Sequence, residues 1–296
     1  MRKGIYLVLT TAVISGFSVF ANKIFISTTD PLVFTAVKNT LTGIFLSVTI
    51  LVSGKYSQLK LLSRRDWMKL IIIGFFGGGL AFGLFFMGLA KIGAVQGSLI
   101  HKTLFLWVAI LALPFLHERL RFSQIAGYGL IFLSTFVIAG PAQFSFNSGS
   151  FLVLCATFLW AIENVLAKMV LRHVSGEIVG WLRMCIGITV LVVMTVILNK
   201  GQMFLAARTY SFWPLVTSSL FLTGYVLTWY VGLKRLPAIT ATAILVLAPI
   251  ITTVLSGVFL THTLTSLPQN ISFGLLILGV FLVAVKFKKN PTPIIV

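Results

Sequence analysis

Acidic side chains are nearly missing from this sequence. Five aspartates and glutamates stand against 23 lysines and arginines in 296 residues. All charged residues together make up 9%, where a soluble domain carries about 25%. That scarcity excludes a soluble globular domain, and a disordered chain as well, which needs charge to stay extended in water. Cysteine is just as rare. Cys155 and Cys185 are the two present, both inside apolar runs, so neither a disulfide framework nor a zinc site is expected. There is no glycine-rich loop ending in Lys-Ser/Thr and no His-Glu-x-x-His, the patterns that cradle phosphates or hold a catalytic metal. The expectation is a protein that is not an enzyme and has no metal and no cofactor. The formal charge of +18 does not point to nucleic acid, because the basic residues are scattered between apolar runs and form no basic domain.

Apolar residues are plentiful, at 58% of the chain with a mean hydropathy of +1.06. They come in runs long enough to cross a bilayer, which takes about 20 residues per helix. The sequence predicts an all-α membrane protein with ten transmembrane helices, at 4–24, 31–53, 69–90, 93–116, 125–140, 149–171, 178–198, 211–233, 237–260 and 271–286. The boundaries fall at Asp30-Pro31, Ser53-Gly54, Gly93, His117–Arg121, Gly140-Pro141, Ser175-Gly176, Pro237 and Pro268. The first run has the basic start of a signal peptide but no small-residue cleavage site near Asn22-Lys23. It also has a counterpart later in the chain, so it reads as the first span.

Loop charge gives the orientation, since lysine and arginine concentrate on the cytoplasmic side. Of the 23 basic residues, Lys38, Lys102 and Arg183 fall inside spans, and Lys23, Lys91, Lys200 and Arg208 fall on one side. The other sixteen share the side of the N-terminus. Both termini are therefore expected in the cytoplasm, in a multi-pass protein of the cell (inner) membrane, with the basic loops against anionic headgroups.

The most specific signal is an internal repeat, with boundaries expected at 1–145 and 146–296. Residues 129–139 (GLIFLSTFVIA) align with 274–284 (GLLILGVFLVA) at an offset of 145. At the same offset Leu7-Val8-Leu9 matches Leu152-Val153-Leu154, Lys23 matches Lys168, and Lys38 falls opposite Arg183. At an offset of 144, Phe85-Phe86-Met87-Gly88-Leu89 faces Trp229-Tyr230-Val231-Gly232-Leu233. Each repeat holds five spans, an odd number, so the second copy enters the membrane from the opposite face. Two inverted-topology five-helix repeats are the architecture of many secondary transporters.

Trp160-Ala161-Ile162-Glu163-Asn164 with Lys168 following, the paired cations Lys38 and Arg183, and Phe115-Leu116-His117-Glu118-Arg119-Leu120 with Gln124 and Gly127 carry a family resemblance. Through them the whole chain resembles the drug/metabolite transporter superfamily, in its EamA-type ten-helix branch. The pattern is incomplete, because the first copy has Ser15-Gly16 where the second has Trp160-Ala161. The second copy has Thr261-His262-Thr263 in place of the Glu-Arg hairpin. The resemblance implies a central cavity lined by the first four helices of each half, with the fifth and tenth peripheral.

Ionisable groups inside a span cost about 2.5–3.5 kcal/mol on insertion scales, so they usually face an interior or a cavity. The candidates are Lys38, His101, Lys102, Glu163 and Arg183. Ser98 and Lys102 are four apart and share a helical face, with His101 flanking. Substrate binding is assigned to Lys102, His101, Ser98, Glu163, Trp160, Asn164, Tyr225 and Trp229, and a gate or scaffold charge to Lys38 and Arg183. In this reading a cation holds a substrate carboxylate, Glu163 holds an amine, and the aromatics hold an apolar body or a cation. Glu163 has a plainer alternative, as the counter-charge of Arg183 or Lys102, and the phenylalanine-rich faces read as lipid-facing or packing. The expected function is secondary transport of small metabolites, foremost amino acids or related zwitterionic and anionic solutes, by alternating access. The partners are the lipid bilayer and the solute, with protons through Glu163 or His101 as a candidate coupling ion. Lipid or lipid-linked substrate translocation is the nearest alternative. A retinal-binding photoreceptor using Lys102 and an intramembrane enzyme using Glu163 and His101 are further ones. Ten spans and the inverted repeat speak against the retinal reading.

Overall fold

The computed structural model describes residues 2–26, 29–139, 146–205, 212–263 and 265–285. Among them are ten long helices: α1 (Arg2–Phe25), α2 (Pro31–Val52), α3 (Arg64–Lys91), α4 (Ala94–Leu116), α5 (Phe122–Ala139), α6 (Ser148–Val170), α7 (Gly176–Ile197), α8 (Phe212–Arg235), α9 (Ala238–Thr261) and α10 (Leu267–Ala284). Nine of these described helices have the length and hydropathy of a span, and α5, 18 residues long, completes the set against α10. Helix is the form expected here, because the bilayer core offers no water to satisfy a backbone N–H or C=O.

The ten predicted spans correspond to these helices, with the largest shifts at two N-termini. α3 begins at Arg64 instead of 69, and α10 at Leu267 instead of 271. In both places a capping box starts the helix before the apolar run does: Ser63 with Asp66, and Ser266 with Gln269. Reciprocal side-chain bonds satisfy amide groups that would otherwise be left open. The predicted boundary at Gly140-Pro141 and the loop cations Arg208, Lys286, Lys288 and Lys289 lie outside the described residues.

Helix ends alternate between two faces. Lys200 pairs with Asp30 at 2.5 Å and Lys23 reaches the end of α3 at one face. Lys55–Glu177, Asp66–His173 and the Glu118 carboxylate on the Ala238 amide gather the opposite ends. The second five helices thus run opposite to the first five. The symmetry reaches single bonds. Lys23 Nζ donates to the carbonyls of Leu89 and Ile92, both at 2.9 Å, and Lys168 Nζ donates to those of Leu233 and Leu236, at 2.7 and 2.5 Å. Each lysine satisfies carbonyls left open at a helix C-terminus, where a cation is also favoured by the helix dipole.

α5 and α10 pack on each other at the periphery. A Cβ at Gly127 would sit 2.6 Å from the Gly279 carbonyl oxygen, and one at Gly279 would sit 2.7 Å from that of Gly127. Ser272 donates to the Ser134 carbonyl at 2.7 Å. Phe132, Leu133, Leu278 and Phe281 of the same pair face outward. Inside, Gly78 and Gly187 bring α3 and α7 into backbone contact: a Cβ at Gly78 would lie 2.1 Å from the Arg183 carbonyl oxygen.

Two helices are interrupted at matching positions. α4 divides into Ala94–Lys102 and Leu104–Leu116, and α9 into Ala238–Leu245 and Ala248–Ser256. Pro249 accounts for the second break, since it lacks the N–H for the preceding turn and crowds the carbonyl four residues back. In α4 the Thr103 hydroxyl takes the Ile100 carbonyl at 2.8 Å, a local bond that competes with the helix ladder. α3 carries a π-helical segment, Ile73–Leu80, which becomes important at the site.

Candidate functional site

A cavity of about 80 Å³ lies between the two repeats. It is smaller than the ~300–1,000 Å³ of ordinary ligand pockets. The first copy contributes Ser18 and Asn22 from α1, Lys38 from α2, Phe82, Phe85 and Phe86 from α3, and His101 from α4. The second contributes Trp160, Glu163 and Asn164 from α6, Arg183 from α7, and Tyr225, Trp229 and Tyr230 from α8.

The cavity is built around two cations in equivalent positions. Lys38, 1% exposed, places its ammonium 3.9 Å from the centre of the Phe86 ring and 5.6 Å from that of Phe82. The Arg183 guanidinium lies 5.1 Å from the Phe82 ring and 5.9 Å from that of Tyr230. Phe86 and Tyr230 are repeat counterparts, as are Ser18 and Glu163. A cation over an aromatic face is attracted by the ring's negative π surface, more so away from water.

The equivalence stops at hydrogen bonding. Glu163, 2% exposed, accepts from the Tyr230 hydroxyl, and its Oε1 is 3.8 Å from Arg183 Nε. Arg183 Nη2 donates to the Gly77 carbonyl at 2.8 Å, and Trp160 Nε1 donates to the same oxygen at 2.9 Å. Gly77 lies in the π-helical segment, where the wider turn shifts the carbonyl ladder, and such bulges recur at functional sites. Its missing side chain matters as well, because a Cβ there would sit 2.2 Å from Glu163 Cγ. Trp229 Nε1 donates to Asn164 Oδ1 at 2.9 Å, and Asn164 Nδ2 to the Trp160 carbonyl at 2.8 Å. The second copy's polar groups are thus largely satisfied, by one another and by the Gly77 carbonyl of the first copy.

Lys38 has no such partner. The chain holds five carboxylate side chains, and each is engaged elsewhere. Asp30 pairs with Lys200, Asp66 with His173, Glu163 with Arg183 and Glu177 with Lys55. Glu118 accepts from the amides of Ala238 and Ile239 at 2.7 and 3.0 Å. Among the described residues no carboxylate forms an ion pair with Lys38 or with Lys102. Three further polar atoms of cavity residues are buried without a hydrogen-bond partner, Asn22 Oδ1, His101 Nδ1 and Arg183 Nε.

Of the residues singled out in the sequence, His101, Trp160, Glu163, Asn164, Tyr225, Trp229, Lys38 and Arg183 meet at this cavity. Ser98 and Lys102 do not line it. They face a side pocket of about 20 Å³ at the two helix breaks, with Thr242, Leu245 and Val246 opposite. Ser15, Val19, His101 and Leu104 wall both spaces. Lys102 is 3% exposed and its ammonium has no hydrogen-bond partner. His101 packs edge-on to Trp160, with ring centres 4.9 Å apart.

The sequence reading missed Phe82, Phe85 and Phe86, taken with the other phenylalanines as lipid-facing or packing. Here all three are buried and line the cavity. Bilayer chains are as apolar as a protein interior, so apolar character alone does not say which way a membrane-helix residue points. The match of Phe85-Phe86 to Trp229-Tyr230 was the available signal. Asn22, inside the first predicted span, was not among the candidates, and no sequence feature marked the Gly77 carbonyl.

The sequence pattern of the EamA-like transporter family matches this chain twice, over residues 2–140 and 147–285. An uncharacterized transporter of Methanothermobacter thermautotrophicus is 26% identical over 208 residues, which is 65% of this chain and 61% of that protein. The uncharacterized transporter YyaM of Bacillus subtilis is 27% identical over 80% of this chain and 79% of its own length. YoaV of the same organism, also an uncharacterized transporter, is 23% identical over 96% and 97%. A crystal structure of a protein 19% identical in sequence superposes with a TM-score of 0.72 over 94% of both chains, a likeness of fold. Ten helices in two inverted repeats, a cavity between them and a family match across both halves make this a multi-pass membrane protein that belongs to the EamA-like transporter family.

Proposed function

We propose that this protein is a secondary transporter of small zwitterionic or anionic organic solutes, amino acids foremost, working by alternating access in the inner membrane with both termini cytoplasmic. The observation that carries this reading is the Lys38 ammonium, buried in an aromatic-walled cavity while all five carboxylates of the chain are engaged elsewhere. A buried charge is costly unless it is paired, and a solute carboxylate supplies the pair. Asn22 Oδ1 is an unpartnered acceptor for a solute amine, while Phe85, Trp160 and Tyr225 give the solute body an apolar wall. Glu163 is less suited to holding the amine than the sequence implied, because Tyr230 and Arg183 already occupy it. Lys102 and Ser98, next to the cavity, belong to the same binding region in this reading, with His101 between the two spaces.

Two inverted halves can exchange conformations and so expose one central site to each side in turn. The matched breaks in α4 and α9 are natural hinge points for that exchange, since interrupted ladders bend more easily than continuous ones. Counterflow in proteoliposomes tests the proposal. Labelled amino acid should accumulate against an internal pool of unlabelled solute, and Lys38→Gln should weaken solute binding at least about tenfold, since a bond to a charged group contributes roughly 1.5–3 kcal/mol. No counterflow by folded protein across a panel of amino acids and organic anions would sink the reading.

A further inference from the structure

A cavity larger than the central one lies away from it, at the end of the bundle where α1 begins and α10 ends. It measures about 400 Å³ and is walled by Arg119, Arg121 and Arg235, with Glu118 and Gln124 beside them. None of the three arginines forms an ion pair among the described residues. The one carboxylate present is turned onto the amides of Ala238 and Ile239. Ile5, Val283 and Ala284 add an apolar wall, and α10 is an outer helix whose far side is exposed.

Arg121 is the informative residue. It stands just before α5, where its carbonyl accepts from Ile125 and its amide donates to Gln124 Oε1 at 3.0 Å. The repeat counterpart is Ser266 with Gln269, which forms a full capping box on α10. An N-cap is best filled by a side-chain oxygen, and a cation there is repelled by the positive end of the helix dipole. Arg121 breaks both local rules where the second copy obeys them. Such a departure points to a gain outside the helix. The other arm of the contrast agrees: the second copy has Thr263 opposite Glu118.

We propose that this pocket binds a phosphate group, held by Arg119, Arg121 and Arg235. The apolar wall beside the arginines matches the start of the acyl chains of an anionic phospholipid, and free phosphate is the other source of the same chemistry. Guanidinium groups match phosphate oxygens in pairs, and basic pockets between membrane helices are known lipid-headgroup sites. This gives a role to the Glu118-Arg119 hairpin, which the central cavity does not use.

The test uses the full chain and Arg121→Ser, a change that installs the cap already present on α10 and so favours folding. Native mass spectrometry after exchange into phosphatidylglycerol or phosphatidylcholine should show phosphatidylglycerol retained about tenfold better by the unaltered protein, and that preference lost in Arg121→Ser. Inorganic phosphate added to delipidated protein separates the sources. If millimolar phosphate displaces the lipid and raises the melting temperature of the unaltered protein alone, the site takes the free ion. Arg119→Gln combined with Arg235→Gln serves as the second variant. Equal lipid retention and an equal phosphate response in all three proteins would overturn the proposal.

Discussion

The two buried cations of the central cavity occupy matched positions and sit in opposite situations. Arg183 has an acid, a tyrosine behind that acid, and a backbone carbonyl. Lys38 has aromatic rings and no carboxylate. The difference comes down to one pair of counterparts, Glu163 in one copy and Ser18 in the other. A duplicated scaffold has thus placed a self-contained charge network beside an open one. The closed half is suited to hold shape, and the open half is suited to hold a solute.

That contrast can be broken most strongly from the closed side. Arg183→Gln leaves Glu163 as a buried carboxylate without its cation, and should cost about 3–5 kcal/mol of stability. Denaturant or thermal melting of purified protein measures it, and Arg183→Gln with Glu163→Gln should recover most of the loss. A single variant that melts like the original would mean Glu163 never depended on Arg183. Ser18→Glu then tests the open side by giving Lys38 the acid its counterpart has. Solute affinity should fall about tenfold, or roughly 1.4 kcal/mol, although the lysine is still present. Unchanged counterflow in Ser18→Glu would show that Lys38 is not the anchor. The smallest difference between the copies is expected where they agree. Lys23→Met and Lys168→Met each remove a charged donor from two helix-end carbonyls, for about 1–3 kcal/mol apiece. The two losses should be close to each other, and a large gap in melting temperature would limit the symmetry to geometry.

The architecture was readable in the sequence because the bilayer imposes it. Ten apolar runs, punctuated by residues such as Pro31, Gly93 and Pro237, become ten helices, since nothing else satisfies the backbone in lipid. The inverted repeat was equally visible, and the Lys23–Lys168 match proved to be a shared bond pattern. The site was readable as a set of residue types, and less so as an arrangement. Polarity marked Lys38, Glu163 and Arg183, but not which cation takes the acid. That choice depends on the approach of α3 to α7 at Gly78 and Gly187 and on the π-helical turn that presents the Gly77 carbonyl. Both are consequences of packing between distant segments. Phe82, Phe85 and Phe86 illustrate the same limit, as their side chains would be equally at home in lipid.

The engagement of all five carboxylates also bears on voltage. With an ionised Glu163 cancelling Arg183, a protonated Lys38 gives the empty central site one positive charge. In the proposed alternating-access cycle a monoanionic solute neutralises it, so the loaded carrier crosses without charge and the empty one returns with it. A zwitterion leaves one charge on both legs, and the electrical work of the two crossings cancels over a cycle. A full elementary charge moved through 100 mV is worth about 2.3 kcal/mol, which is enough to skew turnover severalfold even if only part of the field is crossed. The membrane potential therefore becomes an assay of what the carrier holds. If the proposal holds and no ion is co-transported, net transport of an anion is electrogenic, and net transport of a zwitterionic amino acid is electrically silent.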